Sequence, residues 1–428
     1  MFKRLKIQAE DELRFSPKVR ALLASRIFLK TPDVVTASSD EAARVIHTLC
    51  QAARLATDDS MMKKAEARIR RQLPKIEPAR IRWAEFLADF GGNRIQKGIV
   101  LKPYVSERER GIVFISFDNQ MARLAKSTDL EAFTRRYTLV LAPQWCPPHT
   151  ITSWLFPLIY PDEIICLISN TRDLIYFPRI SEKYVMVPLY ASSWVDPREY
   201  RPVPVEQKNI DIYMLANFAK YKRHHALFAA LRDLPREYRV VLHGQRESGR
   251  TRETLIAEAD AFGVRDRFEV HENVTNEALH DAMVHAKVSL ILSRREGSCV
   301  AVVESMFANT PVGVYADAEI GSRAFVNEHT GRLLQHQNLA AQLKEFVESS
   351  AKYEPRKWVM ENGVGCLASS EMLNEALKRH ALERGAQWTR DIAPLRWHPN
   401  PEFFDPEDVQ KVRSAYEDIE RNYGITLG

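Results

Sequence analysis

The sequence contains few cysteines. The 428 residues include only five, at Cys50, Cys146, Cys166, Cys299 and Cys366. Their number is odd, they lie far apart, and no two of them form a C-x-x-C pair. This pattern argues against a disulfide framework and against a zinc site, and it is typical of a protein in a reducing cytoplasm. We therefore expect a cytoplasmic protein that binds no metal.

Long apolar runs are also lacking. The most apolar stretch, residues 151–168, is interrupted by two prolines and two carboxylates, so we predict a buried strand region there rather than a membrane span. Residues 1–15 are charged and have no apolar centre, and they do not predict a secretory signal.

Several nucleotide-binding and hydrolase motifs are missing. No G-x-G-x-x-G follows a strand pattern, no glycine loop ends in G-K-[ST], and no G-x-S-x-G occurs. These absences argue against a dinucleotide oxidoreductase, a P-loop enzyme and a serine hydrolase. The net charge of +5 is spread along the chain. It suits a phosphorylated ligand or an anionic membrane surface, whereas nucleic acid needs a clustered basic face.

The length predicts two domains. From residue 209 to about 350, short apolar strand patterns alternate with helical patterns, and the strands are apolar on both faces. This is typical of a doubly wound parallel sheet covered by helices. The first half predicts a smaller α/β domain, with a helix over residues 121–135. Its strands are predicted in residues 111–118, 137–143, 163–169 and 183–190.

Residues 40–56 and 61–73 predict helices ahead of the first sheet. The second of these is basic and amphipathic, so it suits an anionic membrane or a partner, although an ordinary surface helix is the preferred interpretation. We divide the chain into four segments. They are a helical N-terminal extension (1–105), a first Rossmann-like domain (106–205), a second (206–380) and a C-terminal segment that crosses back to the first (381–428).

The stretch SRREGSCVAVVESMFANTPVGV, residues 293–314, holds two glutamates separated by seven residues. Glu296 follows a strand pattern, at the edge of the sheet where open α/β sheets bind ligands. Glu304 lies inside an apolar helical run. On a helix, eight residues turn about 80° beyond two full turns, so both carboxylates share one broad side at different depths. A carboxylate accepts several hydrogen bonds and can hold a vicinal diol.

The residues that follow Glu296 predict an anion site. Gly297 allows close backbone approach, and Ser298 is a candidate N-cap. A helix that starts at Cys299 directs the amides of Ser298, Cys299 and Val300 towards a ligand, which suits a diphosphate.

A second basic element follows the first strand of the same domain. In ANFAKYKRHH, Lys222 opens the next helix and can face the same sheet edge, where it neutralises a leaving diphosphate. The alternative is that Lys220, Lys222 and Arg223 form a basic, solvated turn.

The stretch from Tyr213 to Leu334 resembles the C-terminal domain of retaining, nucleotide-sugar-dependent glycosyltransferases with the GT-B fold, and more specifically glycosyltransferase family 4. The most specific element is the E-x7-E spacing of Glu296 and Glu304, followed by NTPVGV. The segment TGRLL is similar to the T-G-x-L-V of the family, and residues 187–202 are similar to the segment that closes its first domain. The resemblance implies an α/β fold with two Rossmann-like domains facing across a cleft.

The resemblance also implies roles for single residues. Glu296 holds hydroxyls of the donor sugar near its anomeric carbon, Glu304 binds the ribose, and Lys222 contacts the diphosphate. The amides of residues 297–300 cradle that diphosphate. Where the family has an arginine at the end of the first strand, this chain has Asn217.

Several further positions complete the implied site. The guanidinium contact with the diphosphate is either missing, or Arg223 or Arg246 supplies it in place of Asn217. The loop of residues 271–275, with Asn273 at its centre, holds the base. In the first domain, His149 is the candidate loop histidine near the sugar, with a rigid Pro-Pro-His loop as the alternative. Asp118 is placed near the acceptor by position alone.

These observations predict an enzyme that moves a hexose-type sugar from a nucleotide-diphosphate sugar to a glycan or lipid-linked acceptor and retains the anomeric configuration. We expect UDP ahead of GDP as the nucleotide, no metal and no separate cofactor, no nucleic-acid partner, and peripheral contact with the inner membrane face. Two alternatives stay open. One is a non-catalytic sugar-nucleotide-binding or scaffold protein of a glycan pathway, and the other is a sugar-nucleotide epimerase of the same fold.

Overall fold

The computed structural model describes residues 2–33, 38–87, 92–143, 147–397 and 400–428. Cys146 therefore lies outside the described residues. The helices are α1 Phe2–Phe15, α2 Pro17–Lys30, α3 Ser39–Leu55, α4 Asp59–Gln72, α5 Asp118–Ser127, α6 Leu130–Arg136, α7 Ile151–Ile159, α8 Asp173–Ile180, α9 His224–Leu231, α10 Arg252–Phe262, α11 Asn276–Val284, α12 Val300–Phe307, α13 Leu339–Glu348, α14 Pro355–Glu361, α15 Cys366–Glu383 and α16 Val409–Tyr423. The strands are β1 Arg94–Ile95, β2 Gly98–Lys102, β3 Gly111–Ser116, β4 Tyr137–Ala142, β5 Ile164–Ile168, β6 Tyr184–Tyr190, β7 Ile210–Leu215, β8 Val240–Gly244, β9 Glu269–Glu272, β10 Ala286–Ile291, β11 Val312–Tyr315, β12 Gly331–Leu334, β13 Leu395–Trp397, β14 Pro401–Phe403 and β15 Thr426–Leu427.

The chain folds into two compact units. Unit A consists of Met1–Phe15 and Val195–Gly365, and unit B consists of Ser16–Trp194 and Cys366–Gly428. The sequence analysis placed its boundaries after residues 105, 205 and 380, whereas the units divide the chain after residues 15, 194 and 365. Helix α1 is therefore part of unit A, apart in sequence from the rest of that unit.

Unit A contains a six-stranded sheet in the order β12-β11-β10-β7-β8-β9, with every neighbouring pair parallel. All of β11 and most of β10 are buried, because helices cover both faces. This is the doubly wound parallel sheet that the alternating pattern predicted. The α/β fold class is confirmed.

The strand order of unit A reverses direction at β7 and β10. From β7 the chain runs outward through β8 to β9, and it then returns to place β10 on the other side of β7. The loops that leave the carboxyl ends of β7 and β10 therefore separate and open a crevice. In open α/β sheets, ligands bind at such a switch point.

Unit B contains a five-stranded sheet in the order β2-β3-β4-β5-β6. Strand β2 runs antiparallel to β3, and the other pairs are parallel. The core includes large, fully buried side chains such as Trp154, Trp194 and Phe114. Helices α15 and α16 belong to the same unit, with Leu373 and Ile419 in this core.

Two sequence predictions in unit B are wrong. Residues 151–159 form helix α7 rather than a strand region, because Thr150 caps the helix by accepting a hydrogen bond from the Ser153 amide at 3.2 Å. The single helix expected over residues 121–135 is two helices, α5 and α6. Asp129 ends the continuity, since its carboxylate accepts from the Ala132 amide at 3.1 Å and starts a new helix.

The helical prediction for the N-terminal region is confirmed, with α3 and α4 close to the expected bounds. One face of α4, including Met62, Ala65 and Ile69, is buried against its neighbours. That packing supports the interpretation of α4 as an ordinary surface helix. Within the described ranges, no helix combines the length and the apolar character that crossing a membrane requires.

Candidate active site at the carboxyl ends of β7 and β10

The loop after β7 presents Lys222. Residues Lys220–Lys222 form a single turn of 3-10 helix, and the Lys222 amide donates to the carbonyl of Ala219 at 3.0 Å. Arg223 then adopts a left-handed conformation, with φ of 57° and ψ of 42°, and helix α9 begins at His224. Non-glycine residues rarely adopt this conformation, so contacts elsewhere must hold the turn that aims Lys222.

The loop after β10 leads into helix α12. This helix begins at Val300, with Cys299 at the N-cap position in a left-handed conformation and no side-chain cap. The sequence analysis expected Ser298 at the N-cap and a helix from Cys299, and both expectations are wrong by one residue. The positive φ of Cys299, 56°, delays the helix, because a residue in that region cannot be its first helical position.

Backbone hydrogen bonds fix the direction of the amides in this loop. The carbonyls of Gly297 and Ser298 accept from the amides of Gly321 and Ser322 at 2.9 and 3.0 Å. The hydroxyl of Ser322 donates to the Cys299 carbonyl at 3.0 Å. In a trans peptide, the N–H points opposite to the C=O. The amides of residues 298–300 therefore all point away from the 321–322 turn, as an anion-binding concavity requires.

Lys222 and Glu296 meet across the switch point. The Lys222 Nζ atom donates to Glu296 Oε2 at 2.7 Å, and the two side chains are only 13% and 11% exposed. Burial lowers the pKa of Lys222, but the charge of Glu296, the charge of Cys299 and the hydrogen bond to Glu296 together raise it more, so the pKa lies above its ordinary value. Lys222 is therefore a cation at neutral pH. Among the described residues, no partner reaches Glu296 Oε1, although this atom is buried.

Glu304 lies half-buried on α12, beside two tyrosines. Burial raises the pKa of Tyr200 well above its ordinary value, and the charge of Glu304 and a hydrogen bond to it raise it further. Burial and the charge of Glu304 also raise the pKa of Tyr213, whose hydroxyl lies 3.2 Å from Nδ1 of His243. The carboxylate of Glu304 thus has a tyrosine hydroxyl as a neighbour inside unit A.

Asn217 makes local hydrogen bonds within its own loop, and Arg223 makes an ion pair with a residue far away in sequence. Asn217 Oδ1 accepts from the Ala219 amide at 3.3 Å, and its Nδ2 donates to the hydroxyl of Tyr221 at 3.2 Å. Asn217 thus braces the turn ahead of Lys222. The guanidinium of Arg223 is buried in an ion pair with Asp11 of helix α1. The predicted roles of both residues at the diphosphate stay predictions.

Two other candidates lie on the β8 and β9 side of the sheet. Asn273 is exposed and left-handed, with φ of 56°, and its amide donates to the carbonyl of Gly244 at 2.9 Å. Arg246 is an exposed side chain paired with Glu272. The Asn273 contact fixes the loop after β9, where the base was predicted.

His149 belongs to unit B and is fully buried. Its Nε2 atom lies 2.9 Å from Glu66 Oε1 on α4, and its ring packs near Trp154 and Tyr176. This placement favours the rigid-loop alternative over contact with a sugar. Asp118, at the start of α5, accepts a hydrogen bond from Thr150, and burial raises its pKa above the ordinary value.

Sequence reasoning missed Asp11 and Tyr200. Asp11 lies in the acidic run Glu10–Glu12 of an otherwise basic segment, and that run was the only local signal. Tyr200 lies in the segment of residues 187–202 whose resemblance to the end of the first domain was noted, so its hydroxyl was visible in the sequence.

The geometry can hold a polyhydroxylated ligand linked to a phosphate group. A cation, a carboxylate with one unpaired oxygen and a row of amides lie at one sheet edge, with a second carboxylate further along α12. Within the described ranges, no three His, Cys, Asp or Glu residues are grouped as a metal site would need. The described cysteines, Cys50, Cys166, Cys299 and Cys366, are free thiols.

A comparison with protein-family models identifies this part of the chain. Residues 196–363 match the family described as glycosyl transferases group 1. The match spans the sheet of unit A from before β7 to after α14, and it includes Lys222, Glu296 and Glu304. The resemblance to glycosyltransferases that the sequence analysis stated is thereby confirmed, while the functional reading of the E-x7-E motif stays a prediction.

Solved structures show the same fold at low sequence identity. HepE from Anabaena, solved in complex with UDP, aligns with a TM-score of 0.51 at 14% identity, over 64% of this chain and 79% of that one. Sucrose-phosphate synthase from Thermosynechococcus elongatus aligns with a TM-score of 0.50 at 15% identity, over 64% and 74%. No curated protein matches the chain in sequence. These likenesses confirm the expected GT-B type of fold.

Proposed function

We propose that this chain is a retaining glycosyltransferase. It transfers a hexose-type sugar from a nucleoside-diphosphate sugar to a glycan or lipid-linked acceptor. The match of residues 196–363 to the glycosyl transferases group 1 family supports the reaction class. UDP is placed ahead of GDP because Anabaena HepE, which has a similar fold, was solved with UDP.

The observation that carries the proposal is the buried pair of Lys222 and Glu296 at the switch point. A lysine held as a cation stabilises a leaving diphosphate. The second oxygen of Glu296 is buried and has no partner among the described residues, so it can accept a hydrogen bond from a hydroxyl of the donor sugar. Because both groups come from adjacent strands, the sheet holds them rigidly at 2.7 Å.

The proposed transfer is a front-face displacement. The bond between the anomeric carbon and the diphosphate oxygen breaks, and the acceptor oxygen forms its bond to the same face of that carbon. The acceptor proton passes to the leaving phosphate. Lys222 and the amides of residues 298–300 stabilise the negative charge that develops on the diphosphate. Glu296 orients the sugar, and Glu304 holds the ribose.

This arrangement assigns the stabilisation of the diphosphate to a lysine and to backbone amides, so we propose a metal-independent reaction without a separate cofactor. We assign the acceptor to unit B and the nucleotide sugar to unit A. A cytoplasmic location with peripheral contact at the inner membrane face fits a lipid-linked acceptor.

One observation favours a second candidate, a non-catalytic sugar-nucleotide-binding protein. Asn217 stands where a guanidinium was expected, and Arg223, the nearest replacement, is committed to Asp11. Lys222 is then the one side-chain cation that the proposed mechanism assigns to the diphosphate.

A donor assay separates these functions. The full chain is incubated with UDP-, GDP- and ADP-sugars, with and without acceptor glycans, and free nucleotide is measured. We expect slow nucleotide release, fastest with a UDP-sugar, and a loss of about 100-fold in Glu296→Gln. Glu348→Gln is the matched control, because it makes the same chemical change at an exposed position on α13.

The outcomes are distinct. Donor binding without turnover under every condition supports the non-catalytic candidate and contradicts the enzyme. Formation of an epimeric nucleotide sugar in place of free sugar indicates an epimerase. Equal rates for Glu296→Gln and Glu348→Gln remove Glu296 from the proposed mechanism.

A further inference from the structure

Helix α1 contacts the rest of unit A through three consecutive acidic residues. Each pairs with a basic residue in one of the two loops that build the candidate site. The pairs are Glu10–Lys220 at 3.3 Å, Asp11–Arg223 at 2.8 Å and Glu12–Arg294 at 2.8 Å. Lys220 and Arg223 flank Lys222, and Arg294 precedes Glu296 by two residues. The helix thus touches both loops that bring Lys222 to Glu296.

The central pair differs from the other two in its burial. Asp11 is 8% and Arg223 5% exposed, and the guanidinium donates to both carboxylate oxygens at 2.8 to 3.0 Å. Burial raises the pKa of Asp11, but hydrogen bonds from His225 and Arg223 lower it more, and the result lies below the ordinary range. Asp11 is thus a permanent carboxylate, and a forked, buried contact of this kind is strong and directional.

Arg223 links the two loops of the site. Its Nη1 atom donates to the carbonyl of Leu292, at the end of β10, at 3.3 Å. Its guanidinium also lies 5.0 Å from the ring centre of Tyr315, at the end of β11. The residue belongs to the loop after β7, so its side chain joins that loop to the strand that leads to Glu296.

The backbone of Arg223 determines where Lys222 points. Arg223 follows Lys222 directly and adopts a left-handed conformation that its side chain disfavours. Such a conformation persists when surrounding contacts over-determine it. The guanidinium contacts hold this arginine together with two backbone hydrogen bonds, from its own amide to the Lys220 carbonyl at 3.1 Å and from the Ala226 amide to its carbonyl at 2.9 Å. The counter-ion of the guanidinium comes from α1.

We propose that Asp11 is a positioning residue for the candidate site, which anchors Arg223 and thereby keeps Lys222 against Glu296. The name of the ligand rests on the proposed function, but the link from Asp11 to Lys222 does not.

Two measurements on the full chain test this inference. The first is the rate at which an acylating reagent labels Lys222, read by peptide mass spectrometry against the exposed Lys344. The second is the Kd of UDP by calorimetry. In Asp11→Asn we expect labelling of Lys222 to rise at least threefold relative to Lys344, and UDP binding to weaken at least tenfold.

Two control variants separate positioning from a general structural effect. Glu10→Gln removes the neighbouring exposed ion pair on the same helix and should leave both measurements within twofold of wild type. Asp11→Glu keeps the carboxylate, so both the labelling rate of Lys222 and the Kd of UDP should lie within threefold of the wild-type values. If Asp11→Asn does not fold, the double variant Asp11→Asn/Arg223→Gln removes both charges together, and the same changes are expected in it.

If Lys222 is labelled at the wild-type rate in Asp11→Asn, or in the double variant where that is the one that folds, the inference is overturned, whatever happens to UDP binding. If the wild type does not bind UDP while labelling still rises, the nucleotide assignment fails and the positioning role stands. If Glu10→Gln has the same effect as Asp11→Asn, the buried pair has no special part and the inference is wrong.

Discussion

Tyr200, which lies beside Glu304, shows how a single hydroxyl can matter. Tyr200 is buried, and burial followed by the charge of Glu304 raises its pKa, so it stays protonated and donates to that carboxylate. A carboxylate held on one side offers its remaining lone pairs in a fixed direction. For a residue proposed to bind ribose, that fixed direction contributes to affinity.

Removal of this hydroxyl should weaken nucleotide binding while the fold is kept. We expect Tyr200→Phe to raise the Kd of UDP by about 3–10-fold, which corresponds to a single hydrogen bond of about 1 kcal/mol. Calorimetry on the full chain measures this change. Tyr353→Phe is the matched control, since Tyr353 is also a buried tyrosine but packs on Phe346 in another part of unit A. An unchanged Kd in Tyr200→Phe would remove the hydroxyl from the site.

The residues that the sequence could predict are those that follow strands. Lys222 and Glu296 each come after an apolar run, and parallel strands bring their carboxyl ends to one edge, so the pattern predicted that both residues lie at that edge, but not that they pair. The pairing of Arg223 with Asp11 could not be predicted, because the two lie 212 residues apart and nothing local selects one carboxylate among many. The left-handed Cys299 was also hidden, since cysteine has no preference for that conformation.

Strand β8 ends in a glycine that brings two loops together. A Cβ atom on Gly244 would lie 2.2 Å from the carbonyl oxygen of Ala216 and 2.7 Å from the ring of Phe218. Both contacts belong to the loop after β7, which continues to Lys222. The small size of Gly244 therefore determines how closely this loop approaches the neighbouring strand.

Gly244→Ala should displace that loop. We expect the free energy of unfolding to fall by about 1–3 kcal/mol, as for other overpacked sites, and UDP binding to weaken with it. Chemical denaturation and calorimetry measure the two effects. Gly263→Asn is the control, because nothing lies within 4 Å of its Cβ position and asparagine tolerates its φ of 72°. A larger loss of stability in the control than in Gly244→Ala would contradict this account.

At the level of elements, periodicity predicted unit A well and failed in one part of unit B. Strands β7 to β11 alternate with helices in sequence, and all of them except β9 are short and mainly apolar. Helix α7 was read as a strand region because almost all its residues are buried, so it has no polar face to reveal the helical period. The break between α5 and α6 was readable from Asp129, a residue type that favours the N-cap.

At the scale of the whole molecule, the preferred nucleotide can be identified from the unfolding temperature of the chain. A ligand that binds only the folded state stabilises it by about 2.7 kcal/mol at 100 times its Kd. We expect UDP to raise the unfolding temperature of the full chain more than GDP or ADP does at equal concentration. Glu304→Gln should reduce that rise. A larger shift with GDP than with UDP would reverse the proposed order of nucleotides.

The division of the chain into units was only partly predictable. The change of pattern near residue 209 marked where the second sheet begins, and unit A resumes at Val195. The return of residues 1–15 to unit A had no counterpart in the sequence pattern. Helix α1 pairs there with residues more than 200 positions away, through one buried ion pair, Asp11–Arg223, and two more exposed ones. A one-dimensional pattern of apolar residues does not contain such pairs.

The docking of α1 has a consequence for biosynthesis. On the ribosome, α1 emerges ahead of Arg223 and Arg294, which follow Asp11 and Glu12 by 212 and 282 residues. At a synthesis rate of about 5–20 residues per second, on the order of ten seconds to a minute passes between the synthesis of α1 and that of its two basic partners. A nascent chain of this protein therefore carries Asp11 and Glu12 without these partners until Arg223 and Arg294 have been synthesised.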